Sequence, residues 1–208
     1  MKKEVKIISA VAVRVILYGG YLLALSLVFM HDAQPQPTDK FGESSLTEKF
    51  QEITVLLTSL IFWFTGRSNK VIRPLAYLIG GFFAAAFVRE HNSFFQNNLF
   101  DGAWQVIAYS IIAVTIYLVF RSRATLLASI LKYIETRAFG ILISGFIVTF
   151  FYSRIYGESY LWSALMEDRY FRSVKNASEE SIELLGYSMI IFGAIEFVLW
   201  AHQSKASV

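Results

Sequence analysis

The sequence predicts an all-α integral membrane protein, a six-transmembrane-helix bundle with both termini cytoplasmic and short interfacial helices on both sides. Three observations predict it. Apolar residues make up 55% of the 208, and mean hydropathy is +0.49. Charged residues reach only 17%, where a soluble domain carries about 25%. The apolar residues are also gathered into runs near the roughly 20 residues a helix needs to cross about 30 Å of hydrocarbon. Residues 1–208 therefore read as a single transmembrane domain.

The spans are expected at about 8–30, 50–66, 71–89, 102–120, 138–156 and 181–201. The first follows MKKEVK but is too long for a signal-peptide core, and no small-residue cleavage site closes it. It reads as a retained span. The loop after it is polar and holds Pro35 and Pro37, so it is expected to be irregular. The second and third spans are short, since Ile53–Gly66 and Leu75–Val88 are each only 14 continuous apolar or weakly polar residues. To cover the bilayer they must draw Glu52 and Glu90 to the membrane boundary. The fourth span follows VREHNSFFQNNLFDGAW, a connection unusually rich in polar groups for so apolar a chain. Residues 124–136 place Leu127, Ile130, Leu131 and Ile134 on one helical face, the pattern of a short interfacial helix. Between the fifth and sixth spans, Tyr156, Tyr160, Trp162, Tyr170 and Phe171 alternate with charges, a composition suited to the headgroup zone. Gly19-Gly20, Gly80-Gly81, Gly140, Gly145, Gly186 and Gly193 read as positions of close helix packing.

Six spans put both ends on one side, and charge says which. The terminal side holds 12 Lys and Arg against three acids, a balance of +9; the other holds seven against 13, a balance of −6. Positive segments stay cytoplasmic, so both termini point inward, in a plasma or bacterial inner membrane.

The chain has no cysteine, which excludes disulfides, thiolate metal sites and thiol chemistry. It also lacks a serine-hydrolase elbow, a phosphate loop, an HExxH pair and a dinucleotide fingerprint. What it offers is acids on the non-cytoplasmic side. Glu52, Glu90, His91, Asp101 and Glu183 are the candidate binding residues, because carboxylates at the membrane boundary are costly unless paired, hydrated or bound to a cation. Their convergence would make an outward-facing vestibule for a cation, a proton or a cationic solute, in transport or sensing. A divalent cation is the candidate cofactor, with carboxylate oxygens as ligands and His91 and His31 as nitrogen donors. The structural alternative is that Asp101 caps span four, Ser178-Glu179-Glu180 caps span six, and Arg89 neutralises Glu90. Arg14 and Glu196 interrupt the first and last spans, and a salt bridge between them would offset the cost of each.

Two other functions fit the same residues. One is a membrane-embedded enzyme using the carboxylates and His91 on a lipid or lipid-linked substrate. The other is a non-catalytic membrane scaffold or partner subunit. The lipid bilayer is the expected partner in every case, and a second copy or another membrane subunit is the candidate protein partner. Nucleic acid is not expected.

Overall fold

The computed structural model describes residues 2–34, 40–42 and 45–206, and among these it is helical throughout, with no strand. The helices are α1 (Lys2–Asp32), α2 (Leu46–Ser68), α3 (Arg73–Glu90), α4 (Asn92–Asn98), α5 (Ala103–Arg121), α6 (Leu126–Ile134), α7 (Arg137–Ile147), α8 (Ser153–Gly157), α9 (Ser159–Met166) and α10 (Arg172–Ala206). A π-helical turn, Val148–Tyr152, carries α7 into α8. The loop expected to be irregular around Pro35 and Pro37 lies outside the described residues.

Four segments are long and apolar enough to cross a membrane: Glu4–Asp32, Ala103–Arg121, Arg137–Gly157 and Arg172–Gln203. Helices α2 and α3 fall short of that standard, and their position explains why. They belong to the inner ring, where α2 buries Thr47, Gln51, Thr54, Thr58 and Ser59 against protein and leaves Ile53, Leu57 and Phe64 exposed on its other face. A helix shielded by its neighbours can carry hydroxyls and amides that a lipid-facing helix cannot. The last helix also starts earlier than the apolar run suggests. RSVKNASEE contains neither Gly nor Pro, and α10 runs through it for 35 residues, about 52 Å. Ser178 is thus mid-helix, its hydroxyl donating to the Val174 carbonyl at 2.8 Å, and it caps nothing.

Helices α2, α3, α7 and α10 form the inner ring. α10 packs between α2 and α7, and α2 packs on α3. Phe82 of α3 closes the ring against Phe146 of α7 and Phe150 of the π turn, with centroids 5.6 and 6.0 Å away. α5 lies outside α3, and α1 lies outside α2 and α10. The core is aromatic at one end, where Phe62 and Phe197 meet at 4.6 Å and Tyr133 stands edge-on to Phe197 at 5.2 Å. Tyr133 brings α6 into that core, while Leu127, Leu131 and Ile134 point outward from the same helix.

Side chains fix the helix ends. Asp32, at the end of α1, accepts from the Thr47 backbone N–H at 2.7 Å and its hydroxyl at 2.8 Å, while Ser45 accepts from Glu48 N at 3.2 Å. Both carboxylate and hydroxyl therefore serve the unpaired N–H groups that open α2. In the α2–α3 turn, Asn69 accepts from Val71 N and donates to Ala201 O at 3.2 Å, tying the turn to α10.

Glycine sets the closest approach. A Cβ on Gly186 would lie 2.1 Å from Thr149 Oγ1, and one on Gly145 would lie 2.7 Å from Gly186 O, so α7 and α10 nearly touch backbone to backbone. Gly19, Gly20 and Gly140, by contrast, face open space and do not mediate packing. We expect Gly186→Ala to destabilise the protein by about 1–3 kcal/mol through overpacking. Gly140→Ala should leave stability unchanged or raise it by about 0.5–1 kcal/mol. Thermal unfolding in detergent compares them, and equal effects would contradict the packing described.

Candidate functional site

The carboxylates collect at two ends of the bundle with opposite charge balance. At the acidic end, the start of α2, the end of α3, α8 and the first half of α10 come together. Glu183 projects from α10 with its side chain 13% exposed; its Oε1 lies 3.1 Å from Ser153 Oγ and 3.3 Å from Arg154 Nη2. Ser153 is fully buried, and its single hydroxyl proton has two acceptors within reach, the Thr149 carbonyl at 2.5 Å and Glu183. Glu179, one turn earlier, takes Lys175 Nζ at 2.9 Å and Arg154 Nη1 at 3.7 Å. Glu180 points the other way, toward α2. Its Oε2 accepts from Gln51 Nε2 at 2.8 Å, and the same amide reaches the Glu180 carbonyl at 3.3 Å. Among the described residues no Lys, Arg or His forms an ion pair with Glu180. The acids Glu183, Glu48 and Glu179 lie within electrostatic range of it.

Glu52 and His91 form a second group on the same end. His91 Nε2 lies 3.4 Å from Glu52 Oε2, and its Nδ1 lies 3.1 Å from Phe87 O, so the ring is held at both nitrogens. Glu90 lies 3.7 Å from Arg89 and within electrostatic range of both Glu52 and Glu183. Asp101 does not join them. It is exposed ahead of α5, a helix on the outer side of α3, and it does not cap that helix either, since Gly102 at φ 86° holds the N-cap position without a side-chain bond. The candidate binding residues thus divide: Glu52, Glu90 and His91 come together, Glu183 sits with Ser153 and Arg154, and Asp101 stands apart. Among the described residues no three His, Asp or Glu side chains are arranged to hold a metal ion. His31 lies beside Asp32, 3.5 Å away, rather than with His91.

At the basic end one acid meets two cations. Glu196 is 1% exposed, and its Oε1 takes Arg14 Nε and the Tyr18 hydroxyl, the latter at 3.0 Å. Its Oε2 takes Arg137 Nε at 2.7 Å. Three helices therefore meet on one carboxylate, which accepts two contacts on Oε1 and one on Oε2. Tyr18 also stacks on Phe192 at 4.1 Å, which fixes α1 against α10 beside the ion pair.

Sequence reasoning paired Arg14 with Glu196 but missed Arg137, Tyr18, Gln51, Glu180, Ser153 and Arg154. One signal was available for the α2 partner. Thr47, Gln51, Thr54 and Thr58 recur at helical spacing and make a polar stripe facing inward. The Arg154 and Ser153 contacts depend on the π turn, which has no comparable signature.

No known protein family matches this chain, and no curated protein or solved structure is significantly similar to it.

We expect Glu196→Gln to cost about 3 kcal/mol, because it leaves two guanidiniums facing an uncharged interior group. Replacing the whole cluster with Arg14→Met, Arg137→Met and Glu196→Leu should recover most of that loss. Chemical or thermal unfolding in detergent reads both. A triple variant less stable than the single one would refute the ion-pair account.

Proposed function

We propose that this is a six-span membrane protein, with both termini cytoplasmic, that binds a proton or a small organic cation at the acidic end of the bundle. The single observation behind the binding site is Glu180: a partly buried carboxyl hydrogen-bonded to an amide, ringed by three acids and paired with no cation among the described residues. Such a group is costly as a bare anion near hydrocarbon, and a bound proton or cation removes the cost. Ser153 supports the same reading, because its hydroxyl proton cannot serve both Thr149 O and Glu183 at once, and a proton on Glu183 would complete the second contact. A divalent metal suits the donors less well, since calcium asks for six to eight oxygens. Transport or sensing follows if occupancy of Glu180 alters the packing of α10 on α2 through Gln51.

The six-span reading is supported by the charge asymmetry and by α2 and α3 packing side by side in the ring with exposed apolar residues such as Ile53, Phe64 and Leu78. The Glu52–His91 contact favours the second reading, an enzyme acting on a lipid or lipid-linked substrate, in which Glu52 would orient the imidazole. His91→Gln should then abolish turnover.

Two measurements test the proposal. The chain has no cysteine, so single substitutions report topology. Asp101→Cys should react with an impermeant maleimide in intact cells, and Glu135→Cys only after permeabilisation; the reverse pattern overturns the orientation. For binding, mild acidification or a saturating organic ammonium should stabilise the wild type by about 2–3 kcal/mol, as expected near 100-fold excess over the dissociation constant. Glu180→Gln should abolish that response and Glu48→Gln should keep most of it. An unchanged response in Glu180→Gln would exclude Glu180 as the site.

A further inference from the structure

We propose that the cleft between α1 and α10 seats an anionic phospholipid, with its phosphate at the basic end and an acyl chain lying along the slot. This rests on the membrane-spanning reading above and is independent of the Glu180 site. The cleft encloses about 620 Å³, within the range of sites that hold a small molecule. It exists because the first half of α1 meets α10 through the Glu196 cluster and the Tyr18 and Tyr21 contacts with Phe192, while residues such as Val13 and Leu17 beside them stay exposed. α1 lines the slot with Lys6, Val13, Arg14 and Leu17, and α10 lines it with Ile195 and Leu199.

The two helices run antiparallel, since Arg14 meets Glu196 while Tyr18 meets Phe192. One end of the slot is therefore basic and the other apolar. Lys6 lies eight residues before Arg14, about 12 Å along the helix, at the mouth. Arg14 and Arg137 share a single carboxylate, so the pair carries a surplus positive charge, and Lys6 adds another. Arg14 lines the slot with 23% of its side chain exposed, whereas Arg137, on the other oxygen of Glu196, adds charge without lining it. Beyond Arg14 the slot is lined by Leu17, Tyr21, Ile191 and Phe192, with Val13 and Ile195 beside the ion pair, a surface suited to a hydrocarbon chain. Basic pockets between helices on the cytoplasmic side select lipid headgroups in this way, because the positive surplus repels the choline of a zwitterionic lipid and attracts a net anion. Free phosphate would satisfy the cations but leave the slot unfilled.

The test uses the full chain purified in detergent and titrated with phosphatidylglycerol, phosphatidylcholine of matched chains, or inorganic phosphate, read by native mass spectrometry. Phosphatidylglycerol should bind about tenfold more tightly than phosphatidylcholine. Lys6→Gln and Arg137→Gln should each weaken phosphatidylglycerol by about fivefold, and the pair together should abolish the preference. Arg14 is kept in every variant so that Glu196 stays paired. Leu17→Trp should weaken both lipids by filling the slot. Equal binding of the two lipids, a preference surviving the double substitution, or inorganic phosphate competing as well as phosphatidylglycerol would each overturn the proposal. None of these results bears on Glu180, whose failure would show instead in the acidification response, whereas a chain that did not partition into membranes would sink both readings.

Discussion

The arrangement of this protein depends on a charge that cannot be left alone. Glu196 lies in the last third of α10 with 1% of its surface exposed, where a bare carboxylate is untenable. Arg14 from α1 and Arg137 from the start of α7 both answer it, and Tyr18 supplies a hydroxyl. α7 would pack on α10 regardless, through the near-contact of Gly145 with Gly186. α1 would not. Its outward residues, among them Ile8, Ile16 and Leu23, are more than 60% exposed, and little apolar surface binds it to the ring. The ion pair and the stacked Tyr18–Phe192 rings hold one half of α1, and the Asp32–Thr47 bonds hold the end. The cleft opens around the first of these fastenings, along Lys6 to Tyr21, where α1 stands off α10 on either side of the ion pair.

That division of labour explains which features were legible in the sequence. Apolar runs located α2, α3, α5 and the α7–α8 segment to within about four residues, whereas α1 and α10 begin well before their runs, because polar segments with no helix breaker simply continue the helix. Arg14 and Glu196 stood out because each interrupts an apolar run, so their pairing could be argued from cost alone. Arg137 was hidden, because a cation at the first residue of a helix looks like an ordinary flanking charge. Asp101 misled for the opposite reason. It is an acid at the correct end of a helix, but α5 sits outside α3, and hydropathy does not report which helix is peripheral. Glu180 was obscured by its neighbours, since Ser178-Glu179-Glu180 has the composition of a helix cap and gains a different meaning only once α10 is seen to pass through it.

The π turn shows a local irregularity serving a long-range contact. Thr149 and Ser153 are four residues apart, and both are buried against α10. Thr149 meets Gly186 so closely that its hydroxyl finds no partner, while Ser153 reaches Glu183 and Arg154 reaches Glu179 and Glu183. The widened turn departs from α-helical spacing between the glycine contact and the acidic end, so each can face α10 in its own register. The same turn places Phe150 over Phe82, which closes the ring. One insertion thus joins the packing of the bundle to the geometry of its acidic end.

The two ends of α10 can be set against each other on charge alone. Near Glu196 two guanidiniums and a hydroxyl converge on one carboxylate, so the acid has no remaining demand for a ligand, and its role is to fasten helices. At the other end Glu48, Glu52, Glu90, Glu179, Glu180 and Glu183 share Lys49, Arg89, Arg154, Lys175 and the imidazole of His91. Arg154 is divided between Glu179 and Glu183, and none of the ion pairs extends to Glu180. A site saturated by its own side chains gains nothing from an outside cation, whereas one left with unpaired acid does. The two ends of α10 therefore differ in charge balance, with a carboxylate held by two cations at one and carboxylates in excess of their ion-pair partners among the described residues at the other.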